Sequence, residues 1–585
     1  LYKVLLHNVL VLSLLAGFSC KVKKESNKNT DSIPSRSQNQ QLLEMAETSF
    51  GIYFIGGCSA RMKGNLEEAL ELFKRCLQLN PSSAAALYEM ATVHKLLAAN
   101  DLALNYAKQA VQQEPKNIWF QLLLADCYRT LKQYTNSVKV HEQLVKFYPE
   151  NLEFKENLAI EYSLAGNYTK SFEMYEDLEK RFGINEQITV NKIKILSQQN
   201  KLADIEKEIR RLVESGPANP RYLTYLAEHY ENTKQLEKAK DVYYKILEVD
   251  PNNPTVRLAL SDYYKLKNDE KRSFEELQLA FLNPELDAQT KYNIANLYYK
   301  TAVEYPESSY FNQGLELATN LIRVHPGSSE AHKVFADFMF FDKKYDVAAN
   351  YYYLAVTKDK SDYKTWERLL VCDKKLSRFD SLEKHSYEAL ELFPGQPMMY
   401  LYNGLANIQI QNYKKAAEIL NDGMAYVVDD PLLLSGFLSN LGDVYHYLKE
   451  FSKSDKAFDD ALKINSDYES VLNNYAYYLA QRRENLDKAE QLSKRSIELK
   501  PNEANYMDTY GWILYLQGKY ILSAEWLQKA ISINPSNPNI LEHYGDCLYK
   551  LNKIDDALIN WEKAIQAGGN KERLSKKLIE KKLND

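Results

Sequence analysis

"GNLEEALELFKRCLQLNPSS", residues 64–83, decides the fold because it comes back. Similar phrasing stands at 234–253, "KQLEKAKDVYYKILEVDPNN", and at 518–537, "GKYILSAEWLQKAISINPSN". Each reads as the second helix of a hairpin closed by a proline, which lacks a backbone donor and restricts the residue before it. Pro81, Pro115 and Pro149 are 34 residues apart, Gly183 follows at the same interval, and Pro501 and Pro535 repeat the spacing. A fixed period of this length is the mark of a repeat array.

Numbering each unit from the residue 31 places before its proline brings small side chains into phase. Gly57, Ala91, Ala125 and Ala159 hold place eight, and Ala69, Ala103, Ser137 and Ser171 hold place twenty. Where such residues face each other, two helix axes can approach closely. The same ruler gives Ala227 and Ala239 before Pro251, Ala336, Ala348 and Ala355 between Pro326 and Pro394, and Gly545, Ala557, Trp561 and Ala564 near the end. Two stretches depart from it: 184–219 loses most of its small residues, and 286–326 inserts residues between its two helices.

On these residues the chain resembles the tetratricopeptide repeat (TPR) family over roughly 42–570. The resemblance implies an all-α fold, a right-handed superhelical solenoid of about fifteen helical hairpins in which neighbours share a continuous core. Residues 571–585 are expected to close it as a capping helix, with Leu574, Leu578, Ile579 and Leu583 at helical spacing.

Composition narrows the function. A formal charge of −5, from 74 basic and 79 acidic residues, provides no basic field for nucleic acid. There is no phosphate-binding glycine loop, no His-Glu-x-x-His and no Gly-x-Ser-x-Gly, so the chain reads as a non-enzyme with no small-molecule substrate. Six cysteines show no Cys-x-x-Cys spacing, so neither a metal nor another cofactor is expected. Cys127, Cys372 and Cys547 each fall at place ten of separate units, which keeps them apart in space. His141 reads as a satisfied packing histidine.

At the front, an apolar run from Val9 to Phe18 ends at Cys20 and gives way to polar sequence. It is too short for a spanning helix, which needs about 20 apolar residues, and reads as a secretory signal over 1–20. "LLAGFSC" resembles a lipobox, which implies that Cys20 is lipidated, anchoring the chain to a membrane through a disordered polar linker over 21–41. Plain cleavage after Ser19 is the alternative, and a cytoplasmic scaffold without an anchor is another. The Tyr-, Lys- and Asn-rich composition is similar to that of Bacteroidetes envelope proteins.

The resemblance places function on the concave face lined by first helices, where protein partners or extended peptide segments would bind. Place nine is acidic in Asp126, Glu228, Asp262, Asp337, Asp443 and Asp546, a row of carboxylates suited to a basic or polar segment. Arg129, Phe340, Tyr447, Trp512 and Tyr515 complete the expected groove. These features imply a protein-binding scaffold at a bacterial envelope, facing the periplasm from the outer membrane and serving an assembly, secretion or motility machine. A glycan-metabolism enzyme or regulator is the more distant alternative.

Overall fold

The computed structural model describes residues 38–583, with side chains from Met45 onward. The signal segment, Cys20 and almost all of the expected linker lie outside the described residues. The described chain is all α-helix: 31 helices from Gln38–Met62 to Lys571–Glu580, or fifteen consecutive pairs and one final helix. The first helix starts at Gln38, inside the stretch read as linker. The chain divides into two compact units between Val242 and Tyr243, within the helix Leu236–Val249.

Most first helices are 13 residues and most second helices 14, joined by a three-residue turn. Place fifteen of that turn takes a left-handed backbone, supplied by Gly64, Gly166 and Gly518 but also by Ala98, Lys132 and Lys343. A polar residue after the proline opens the next first helix: Ser83, Asn117, Asn151 and Asn253 each accept a hydrogen bond from a backbone N–H of the first turn. Proline, cap and turn together set the 34-residue phase.

The two small-residue places meet as expected. Ser137 Oγ donates to the Ala125 carbonyl at 3.1 Å, and the same place-twenty to place-eight bond recurs at Ser171–Ala159, Ser273–Ser261, Ser454–Gly442 and Ser523–Gly511, all at 2.6–2.8 Å. Glycine at place eight answers a second demand. A Cβ on Gly442 would stand 2.5 Å from the Phe458 ring, and one on Gly545 2.6 Å from Trp561; both rings are at place twenty-four. Ala125 instead has His141 at that place.

The two degenerate stretches differ from expectation in instructive ways. Around 184–219 the hairpin Glu186–Gln198 and Leu202–Ser215 buries Lys192, whose Nζ lies 2.8 Å from Glu179 Oε2 and 2.6 Å from Glu208 Oε2, so ion pairs replace small-residue packing. Around 286–326 the additional residues lengthen both helices, Ala288–Glu304 to 17 residues and Tyr310–Val324 to 15, rather than only the turn. Lys291 is fully buried there and donates to the Asn283 carbonyl at 2.7 Å; burial pushes its amine down to about 8.

The final helix, Lys571–Glu580, packs one side on the last hairpin. Leu574 is buried beside Trp561 and Leu541, while Ile579 faces solvent.

Candidate functional site

Within each unit, successive first helices pack side by side, as Pro431–Tyr447, Glu469–Arg482, Ala504–Leu516 and Pro538–Lys550 do in the second. The family resemblance implies that their places two, five, nine, twelve and thirteen line the groove. The place-nine carboxylates prove not to be one uniform row.

In the first unit Asp126 is held by a surface ion pair. Asp126 pairs with Lys95 of the preceding first helix, and Arg129 pairs with Glu161 of the following one, itself fully buried. Glu228 is exposed, as is Asp262 near the start of the second unit. His141 lies under this surface, buried, but neither ring nitrogen has a hydrogen-bond partner; Nε2 is 3.9 Å from Glu161 Oε1. The expectation of a satisfied histidine is corrected to a buried one without partners. Burial, reinforced by Arg129, pushes it down to about 4, which keeps the ring neutral.

Farther along the second unit the same place is structural. Asp337 is buried and accepts a hydrogen bond from Tyr352 Oη at 2.6 Å, and the Arg368 guanidinium lies 4.8 Å from the centre of the Phe340 ring. Burial raises the Asp337 carboxyl, and Tyr352, Arg368 and Lys333 only partly offset it. Asp443 accepts from Tyr478 Oη at 3.0 Å and Asn474 Nδ2 at 3.4 Å; burial pushes it up to about 6. Asp546 is buried, with Lys577 Nζ 2.7 Å from both oxygens and Trp561 Nε1 at 2.8 Å. Three of the six acids are therefore bonded within the fold rather than presented as a free row. Each is answered by a side chain from a neighbouring helix, and that desolvates it.

The accessible features of this wall are rings. Tyr447, 49% exposed, stacks on Tyr413 with centroids 4.7 Å apart and meets Tyr478 edge-on at 6.2 Å. Trp512 lies between Tyr515, at 4.7 Å, and His543, at 4.2 Å, in two near-parallel stacks. Nδ1 of His543 is 2.9 Å from Asp508 Oδ1; burial opposes charge on the ring, but Asp508 more than offsets it and the imidazole is raised. Tyr477 lies between the two groups: its ring centre is 5.9 Å from that of Tyr478, which meets Tyr447, and it packs with Trp512 against one core cluster. Burial raises its phenol, and its hydroxyl accepts from Gln481 Nε2 at 2.8 Å. The geometry thus brings together Tyr447, Trp512 and Tyr515 from the expected set and adds Tyr413, Tyr477 and His543. On the proline ruler Tyr477 falls at place eight of the unit closed by Pro501, one short of the place-nine pattern, so the sequence did not single it out.

Among the described residues no cluster of three His, Cys, Asp or Glu could hold a metal. Cys127, Cys372 and Cys547 are buried and unpaired, and burial raises each thiol. No described helix is long and apolar enough to cross a membrane.

Three segments, residues 52–83, 221–253 and 436–468, match the tetratricopeptide repeat family, and residues 482–564 match the family described as anaphase-promoting complex, cyclosome, subunit 3. The chain therefore carries tetratricopeptide repeats, in an all-α fold. Protein O-mannosyl-transferase TMTC3 of Homo sapiens is 23% identical over 304 residues, which is 50% of this chain and 33% of that protein. The chain thus spans about a third of the length of that curated relative. Among solved structures, the APC/C hetero-tetramer Cut9-Hcn1 is similar at 14% identity, covering 87% of this chain and 98% of that one, with a TM-score of 0.35. The pilF protein of Pseudomonas aeruginosa is similar at 22% identity, covering 30% and 79%, with a TM-score of 0.28.

Proposed function

We propose that the chain is a non-enzymatic scaffold whose second unit binds extended segments of partner proteins along the wall formed by Tyr413, Tyr447, Tyr477, Trp512 and Tyr515. One observation carries this reading: the partly exposed rings Tyr447, Tyr477, Trp512 and Tyr515 lie on three successive first helices, with Tyr413 of a second helix stacked on Tyr447, while the neighbouring carboxylates Asp443 and Asp546 are already bonded inside the fold. Such a wall offers broad apolar contact with hydroxyl groups at its rim. It suits segments carrying aromatic, aliphatic or proline side chains better than strongly basic ones. Several shallow contacts along one segment would add up to a useful affinity. Pull-down of a purified partner fragment by wild type, compared with Tyr447→Ala/Trp512→Ala, tests it. The reading requires binding to fall at least tenfold while the helical circular dichroism signal is unchanged.

The apolar run ending at Cys20 supports a further part of the proposal: lipid anchoring at a bacterial envelope, with the scaffold serving an outer-membrane assembly, secretion or motility machine. Partitioning into detergent by wild type but not by Cys20→Ala is the outcome expected. Equal partitioning of both points to a scaffold without that anchor. The TMTC3 match motivates a second reading, a part in glycan transfer. It would gain support only from transferase activity of the purified chain that a point substitution abolishes.

A further inference from the structure

The two ends of the array are finished differently. The last helix, Lys571–Glu580, buries Leu574 and Lys577 and turns Lys571, Glu572, Lys576 and Glu580 to solvent, as a closed end should. The first helix runs 25 residues against 14 for its partner Leu66–Leu79, and its outward side is apolar. Met45, Ile52, Ile55 and Met62 are 68%, 65%, 71% and 62% exposed. Ile52 and Ile55 hold places three and six. In the next hairpin those places are Ala86 and Glu89, both buried, and place three of the hairpin after it is Phe120, also buried. The exposed face is therefore the array's own stacking surface, and no described residue covers it.

We propose that a second copy of this chain covers it, the two first helices pairing antiparallel about a two-fold axis. The spacing carries the argument. Met45, Ile52, Ile55 and Met62 stand 7, 3 and 7 residues apart, a pattern that reads the same in both directions. Reversed against itself, it sets Met45 opposite Met62 and Ile52 opposite Ile55 in every layer, with Thr48 opposite Ser59 between them. This is the alternating three- and four-residue seam that two helices use to interlock, and a self-complementary patch closes as a dimer without leaving a further sticky face. The seam is flanked by Ser49, Gly51 and Gly56, which bring no like charges together and let the axes approach. A head-to-tail contact would find only Ile579 as an exposed apolar counterpart, because the last helix otherwise turns charged residues to solvent.

Sedimentation equilibrium of the full chain over a wide concentration range tests the proposal. It requires twice the 67.8 kDa chain mass for wild type, and a single chain mass for Ile52→Glu/Ile55→Glu with an unchanged helical signal and melting midpoint. Mixing Ile52→Cys chains with Ile55→Cys chains under mild oxidation should give covalent dimers in higher yield than either variant alone. A monomer at every concentration, as expected if residues before Gln38 fold over the face, overturns the proposal. So does a dimer that survives the double glutamate substitution.

Discussion

Place nine of the repeat is treated in opposite ways at Asp126 of the first compact unit and at Asp337, Asp443 and Asp546 of the second, where only Asp262 stays exposed. In the first, Asp126 meets Lys95 at a surface where both side chains remain partly in water. In the second, Asp546 is taken out of water and held by Lys577 and Trp561, and Asp337 by Tyr352. One residue type at one repeat position thus serves as a surface ion pair in one unit and an internal clasp in the other. What decides between them is the neighbouring helix: a flexible lysine at an open edge leaves the acid hydrated, whereas an aromatic ring or a buried amine desolvates it. The consequence for function is that the second unit presents rings where a row of carboxylates was expected.

The largest test of this contrast is removal of the clasp. Lys577→Ala leaves Asp546 and Glu542 buried with fewer partners and should destabilise the last hairpin by about 3–5 kcal/mol, the usual cost of breaking a buried pair. Early hydrogen exchange across 538–580 would report it. Next is pH. Asp443 has a folded value of about 6, raised by burial above an unfolded value near 4. An acid shifted upward costs nothing while both states are protonated. Its penalty grows as pH rises from about 4 to about 6 and is constant above that, on the order of 3 kcal/mol at neutral pH. Asp443→Asn should therefore match wild type in urea midpoint near pH 4 and exceed it at pH 7. A third change addresses close packing: Gly442→Ala drives a methyl into the Phe458 ring and should cost about 1–3 kcal/mol, whereas Ala125, facing His141, already carries that methyl. The smallest effect belongs to the first unit. Lys95→Ala removes a partly hydrated pair and should change stability by less than about 1 kcal/mol, and equal losses for Lys95→Ala and Lys577→Ala would erase the contrast.

Much of the architecture was legible because it depends on local size and on proline, both written directly in the chain. Place eight and place twenty meet through Ser137–Ala125 and its four counterparts as the phase implied. The caps at Ser83 and Asn117 stand two residues after each proline and so keep the same phase. The site was less legible, since the state of a side chain on one first helix depends on residues a full repeat away. Asp443 looks like Asp262 in sequence, but Tyr478, 35 residues on, bonds it. Tyr413 lies on a second helix and would not be assigned to the wall by place alone. The buried Lys192 cluster was hidden for a related reason: its carboxylates come from helices on both sides, Tyr168–Phe182 and Leu202–Ser215.

Binding of the purified chain to an array of short peptides, read at low and high salt, tests the ring-wall account most directly. The account predicts that peptides with aromatic, aliphatic and proline side chains are retained with little salt dependence and are lost with Tyr447→Ala/Trp512→Ala. Preferential retention of lysine- and arginine-rich peptides, abolished by salt and by Glu228→Gln/Asp262→Asn but not by loss of the rings, would contradict it.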